Sequence, residues 1–149
     1  MKREDSRTAD FEDAKALNLS EKLRKAGLRP TRQRQYLANL LFSKGNRHVS
    51  AEALHEEALE ADVPVSLATV YNTLHQFHEA GLLRAVAVES SKTYFDTNVT
   101  DHHHFYIEDE NRIVDMPTHV SIGDIPEPPD GMEISKVDVI VRLRKARKI

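Results

Sequence analysis

The sequence has no cysteine and no tryptophan, and no apolar run approaches the roughly 20 residues that a membrane-spanning helix requires. Without cysteine there can be no disulfide, thiolate metal site or cysteine nucleophile. Any metal must therefore be held by His, Asp, Glu, backbone or water. Met1–Phe11 lacks the apolar core of a signal peptide, so the expected location is the cytoplasm. What is present is 149 residues with 40 % hydrophobic and 30 % charged side chains, and eight histidines. That composition belongs to a soluble globular chain, long enough for one ordinary domain or two very small ones.

The net charge of −3 hides an asymmetry. Residues 1–84 carry 13 basic and 12 acidic side chains (+1), and residues 85–149 carry 8 and 12 (−4). Lys22–Arg34 (KLRKAGLRPTRQR) holds six basic residues and no acidic one. Such a run can be a solvated face or a phosphate-binding surface, and the total charge does not decide between them.

Helical periodicity dominates to about residue 80. It predicts helices over Phe11–Ala26 (with Leu17, Leu19 and Leu23 apolar and Gly27 as the stop) and from Thr31 to near Ser43 (with Tyr36, Leu37, Leu40 and Leu41 inward). A third helix starts at Ser50, with Leu54, Ala58 and Leu59 inward. A fourth starts at Ser66, carries Val70, Leu74 and Phe77, and ends at Gly81. The period then becomes two: Leu83–Val88 and Lys92–Thr97 read as a hairpin turning at Ser90–Ser91. Helices followed by a hairpin make an α+β winged helix-turn-helix, whose last helix enters the major groove.

Past residue 97 the pattern predicts a second domain over residues 98–149. His102–Glu108 and Arg112–Met116 read as strands around a turn at Asp109–Asn111, the prolines of 117–129 mark irregular chain, and Met132–Arg144 reads as a long final strand. A three-stranded unit this small cannot bury both faces alone, which predicts a homodimer.

His102, His103 and His104 are consecutive. On a strand, His102 and His104 share a face and His103 points away. Asp115 falls opposite this end of the strand, Asp96 closes the hairpin, and His48 precedes the Ser50 cap. His48, Asp96, His102, His104 and Asp115 form a mixed N/O set suited to Mn(II), Fe(II) or Zn(II). Taken singly, each also reads as a loop residue or a solvated charge. A metal joining both domains would fix their angle, and in a dimer that angle sets the spacing of two recognition helices.

The blocks GLRPTRQR (27–34), HVSAEAL (48–54), SLATVYNTL (66–74), GLL (81–83) and HHH (102–104) resemble the ferric uptake regulator family, from about Leu19 to Met116 and weakly beyond. The resemblance implies an N-terminal winged helix, a small C-terminal α/β dimerisation domain and metal-gated transcription regulation at AT-rich palindromic DNA. It places the regulatory ligands on the same five residues. DNA contacts fall on Arg29 in a minor groove and on Tyr71 and Asn72 in the recognition helix, with Thr69 beside them and Arg34 from the basic run.

Two features depart from the family pattern. No Cys-x-x-Cys pair exists for a structural zinc, since Glu108–Asn111 (EDEN) stands at the first such motif, and Val137 occupies a second-site position that cannot coordinate. A triple His in a Cys-free chain is most like the iron response regulator branch of rhizobia and their relatives. That likeness implies a repressor of iron and haem genes inactivated by haem, held by His102, His103 or His104. Asp at 96 and 115 resembles the peroxide-sensing branch instead, where metal-catalysed oxidation of a His ligand releases DNA. A metallohydrolase is a third reading, but five ligands would leave no open position for water, so no enzyme activity is expected.

Overall fold

The computed structural model describes residues 17–89 and 92–147. The first part of the expected Phe11–Ala26 helix and the expected turn at Ser90–Ser91 lie outside these residues. Contacts divide the chain into two units, with the division between Val99 and Thr100.

In the first unit, α1 is helical over residues 17–25, α2 spans Arg32–Phe42, β1 His48–Val49, α3 Ala51–Glu60, α4 Leu67–Glu79, β2 Arg84–Glu89 and β3 Lys92–Asp96. Three helices begin at a residue whose hydroxyl takes an otherwise orphaned amide. Thr31 accepts from Arg34 N at 3.3 Å, Ser50 from Ala53 N at 3.2 Å and Ser66 from Thr69 N at 3.1 Å. Gly27 and Gly81, both at φ 81°, close α1 and α4. There Leu28 N donates to Leu23 O and Leu82 N to Phe77 O, each at 2.9 Å, in the six-to-one pattern that a left-handed residue permits. Asp62, at φ 56°, closes α3 in the same way through Val63 N and Ala58 O.

The core of this unit is Leu23, Leu37, Leu41, Leu54, Val70, Leu74, Phe77, Leu83 and Phe95, none more than 2 % exposed. Two expected inward residues face out. Tyr36 is 45 % and Leu59 55 % exposed, because the buried stripes run through Leu37, Ala38 and Leu41 on α2 and through Ala51, Leu54 and Ala58 on α3. Both residues flank those stripes.

β1 was not anticipated from the sequence. It pairs antiparallel with β3, which also pairs antiparallel with β2, giving the order β1-β3-β2. Thr97 extends the pairing: its N–H donates to Arg47 O at 3.0 Å, and its hydroxyl accepts from Arg47 N at 2.9 Å. The Arg47 guanidinium grips Glu57 on α3 with two bonds of 2.9 and 2.7 Å, and Lys44 adds a third at 3.0 Å. Arg47, foremost, and Lys44 hold the Glu57 carboxyl below its usual range, although partial burial opposes them. A depressed carboxyl contributes stability above its unfolded value, near 4.3, and loses it as pH falls through the folded value. Glu57→Gln should therefore cost about 1 kcal/mol at pH 7, and little once the wild-type carboxyl is protonated. Urea unfolding at pH 7 and pH 3 measures this, and an equal cost at both would contradict it.

In the second unit, β4 spans His104–Ile107, a 3₁₀ turn Glu108–Glu110, β5 Arg112–Asp115 and β6 Ile140–Leu143, in the order β5-β4-β6. β4 runs antiparallel to β5 and parallel to β6. Asn111, left-handed at φ 47°, makes the expected polar turn, and its side chain accepts from Tyr106 OH at 2.9 Å.

Two expectations for this region need correction. The final strand is four residues long, not the thirteen of Met132–Arg144, because β4 offers only four ladder positions; Ile134 and Val137 stay 50 and 38 % exposed. The unit also lacks the α layer of an α/β domain among its described residues, since prolines at 117, 126, 128 and 129 remove the amide donors a helix there would use. Its buried residues are few: Tyr106, Ile113 and His104.

Candidate metal centre and nucleic-acid interface

The three-stranded register of the first unit sets His48 directly across from Asp96. His48 Nε2 lies 3.0 Å from Asp96 Oδ2. The Asp96 carboxylate is fully buried, and its other oxygen accepts from Asn98 N at 2.9 Å. A buried carboxylate is costly unless a cation or a strong donor neutralises it. Here the neutralising position belongs to an imidazole.

The second unit repeats this chemistry. Strand register places His104 opposite Asp115, and Asp115 Oδ1 lies 3.1 Å from His102 Nε2 and 3.4 Å from His104 Nε2. The two rings meet edge to face with centroids 4.4 Å apart. His102 Nδ1 lies 2.6 Å from Thr100 O, a contact that requires the proton on Nδ1. A neutral His102 therefore turns the lone pair of Nε2 toward a carboxylate oxygen. Two acceptors at 3.1 Å attract only with a proton or a cation between them. Nδ1 donating to a carbonyl while Nε2 presents its lone pair is the usual setting of a metal-bound histidine. On donor type and orientation, the residues fit a divalent metal in both units.

His103 points elsewhere, as alternation predicts. Its Nδ1 accepts from Val139 N at 3.2 Å, next to the bond from His104 N to Val139 O, also 3.2 Å. His103 thus ties the start of β4 to the chain entering β6. With Nδ1 accepting, the neutral ring carries its proton on Nε2. Ligation of haem iron at Nε2 would shift that proton and cost the Val139 bond.

The candidate DNA residues divide into two groups. Thr69, Asn72, Thr73 and Gln76 of α4 line one polar groove with Thr31, Gln33 and Arg34, and no carboxylate lies among these residues. The Arg34 guanidinium donates to Arg29 O at 2.9 Å and to Gln76 Oε1 at 3.1 Å, so it braces the 29–31 segment against α4. Tyr71 does not line this groove. It projects 49 % exposed from another flank of α4, where its ring meets that of His75 at 4.4 Å. The Arg29 side chain is exposed. The basic run is not uniformly available, because Lys22 packs its ammonium 3.8 Å from the centre of the Phe42 ring. Gln33 and Gln76 join this groove without a signal of their own in the sequence, although 69, 72 and 76 recur at the i, i+3, i+7 spacing of one helix face.

The sequence profile described as the ferric uptake regulator family matches residues 25–139. The chain belongs to that family. Its members are metal-responsive transcription regulators, which sets aside the metallohydrolase reading. A peroxide-responsive repressor of Staphylococcus aureus strain Mu50 is 37 % identical over 95 residues, 63 % of this chain and 63 % of that protein. The match thus spans less than two thirds of the relative's length. The ferric uptake regulator of Pseudomonas aeruginosa, solved with manganese, superposes with a TM-score of 0.65 at 26 % identity, covering 87 % of this chain and 98 % of that one. The Vibrio cholerae ferric uptake regulator gives the same TM-score at 21 % identity, with 85 and 98 % covered, and so speaks to the fold alone. The iron response branch suggested by the triple His is not the branch these names carry. Among the described residues no helix is long and apolar enough to cross a membrane.

Proposed function

We propose that the chain is a dimeric winged-helix repressor whose binding to double-stranded, AT-rich operator DNA depends on a divalent ion held by His48, Asp96, His102, His104 and Asp115. The observation that carries this reading is the repeated pairing of imidazole Nε2 with a carboxylate oxygen, once at His48–Asp96 and once around Asp115. Each half offers only two or three ligands, whereas the combined set satisfies one Mn(II) or Fe(II) ion with neutral nitrogen and hard oxygen donors. A ligand set divided between the domains lets the metal act by linkage, favouring the shape that fits two half-sites without touching DNA. A second copy is supported by the apolar side chains that the small second unit leaves exposed, among them Ile122, Ile125, Ile134, Val137 and Val141.

Peroxide is the signal this reading favours. Two carboxylates rather than thiolates complete the donor set, and the relative at 37 % identity is named peroxide-responsive. Fe(II) held there would supply the electron that turns peroxide into an oxidant of a neighbouring imidazole. His48 and His102 are the oxidation candidates, being less enclosed than His104. Anaerobic loading with Fe(II), brief peroxide treatment and peptide mass analysis should find one added oxygen on His48 or His102, with operator binding lost in step. Unmodified histidines in protein that has released its operator would contradict it.

Haem is the second reading, and the three adjacent imidazoles of a Cys-free chain favour it. His102 and His104 would be shared with the metal, so haem and divalent ion would compete, while capture of His103 would break the Val139 bond and disturb β6. Replacing all three histidines by alanine should then abolish a haem absorption band that wild type shows. Equal haem affinity in the two proteins would remove haem from this segment.

A further inference from the structure

The Tyr71 ring does not stand alone on α4. It packs at 4.4 Å against His75, one turn along the same helix, and His75 packs edge-on at 5.3 Å and 88° against Phe95 of β3. Phe95 is fully buried in the core of the first unit, whereas Tyr71 is half exposed. The three rings form a ladder from a fixed core position to a side chain at the surface.

The middle rung is chemically unexpected. His75 Nε2 is buried and has no hydrogen-bond partner among the described residues. A buried polar nitrogen left unsatisfied is destabilising, and a phenyl or isobutyl group would fill the space without that cost. Four other histidines have a backbone acceptor or donor: His55 with Val65 O, His78 with Leu83 O, His102 with Thr100 O and His103 with Val139 N. Local stability does not account for His75. Its position, in close tilted contact with Tyr71 at 60° and edge-on to Phe95, points to what it does.

We propose that His75 is a positioning residue that holds the Tyr71 ring in the orientation with which it meets base edges. This rests on the reading of α4 as the recognition helix and of Tyr71 as a base contact. A Tyr side chain fixed before binding loses less freedom on the DNA, and only a fixed ring discriminates a thymine methyl from other edges. The gain therefore lies in sequence discrimination rather than in phosphate affinity, which comes from Lys and Arg.

A double-mutant cycle tests this on the full metal-loaded chain. The probes are a duplex selected from a random pool by the wild-type protein and a scrambled duplex of equal length at the same salt. Tyr71→Ala should reduce the specific-to-scrambled affinity ratio about 10-fold. His75→Ala should reduce it about 3- to 10-fold with scrambled-duplex affinity unchanged, and the double variant should fall no further than Tyr71→Ala. His75→Phe, which keeps a ring between Tyr71 and Phe95, should restore the ratio, as no loss of general stability would. In case His75→Ala does not fold, His75→Leu gives a second reading by NMR: the Tyr71 ring protons should move toward random-coil positions. Additive losses in the cycle, or unmoved Tyr71 protons, would overturn the ladder while leaving Tyr71 as a base contact. Unchanged discrimination in Tyr71→Ala would overturn the base contact and the ladder together.

Discussion

Asp96→Asn is expected to weaken Mn(II) binding by about 100-fold or more, and operator affinity with it. The substitution keeps the side-chain volume and can keep the oxygen that accepts from Asn98 N, so the fold has little reason to change. What it removes is the buried negative charge beside His48 Nε2. Loss of even an outer partner of a metal ligand commonly costs 10- to 100-fold in affinity, and a ligand should cost at least as much. On the proposed reading the metal acts by linkage, so operator affinity at limiting metal should fall by its full contribution, about 5- to 150-fold. Calorimetric titration with Mn(II), paired with operator binding, reads both. Normal metal affinity in Asp96→Asn would remove this residue from the ligand set.

Phe77→Ala should be among the most damaging substitutions in the first unit. Phe77 is fully buried on α4, stacks on Phe42 at 6.4 Å, and its carbonyl accepts the closing bond from Leu82 N. Truncating a buried phenylalanine costs about 3–5 kcal/mol. That is a large share of the total stability of a small domain and should lower the melting temperature by roughly 15 °C or more. Operator binding should disappear with the fold of α4. A melting temperature within a few degrees of wild type would mean that α4 is not the keystone of this core.

The features that could be read from the sequence were local ones. Thr31, Ser50 and Ser66 cap helices as their residue types predict, and Gly27 and Gly81 stop them. Alternation alone placed His102 and His104 together and His103 apart. The errors came where tertiary context decides. β1 has two residues and no period of its own, so only its partners Phe95 and Asp96 make it a strand. The alternation of Val137, Val139 and Val141 suggests a longer final strand, although β4 pairs with only Ile140–Leu143. In the candidate site, His48 and Asp96 are ligand types legible in the sequence, but their direct opposition depends on the two-residue β1. His75 carried no signal, because its meaning lies in Phe95, twenty residues away across the hairpin.

The most direct test compares operator affinity of metal-free and Mn(II)-loaded protein, side by side at one salt concentration. Binding of the selected duplex should tighten about 5- to 150-fold with Mn(II), while binding of a scrambled duplex changes far less. Equal operator affinity with and without the ion would contradict the account, leaving His48, Asp96, His102, His104 and Asp115 as structural residues and not as a switch.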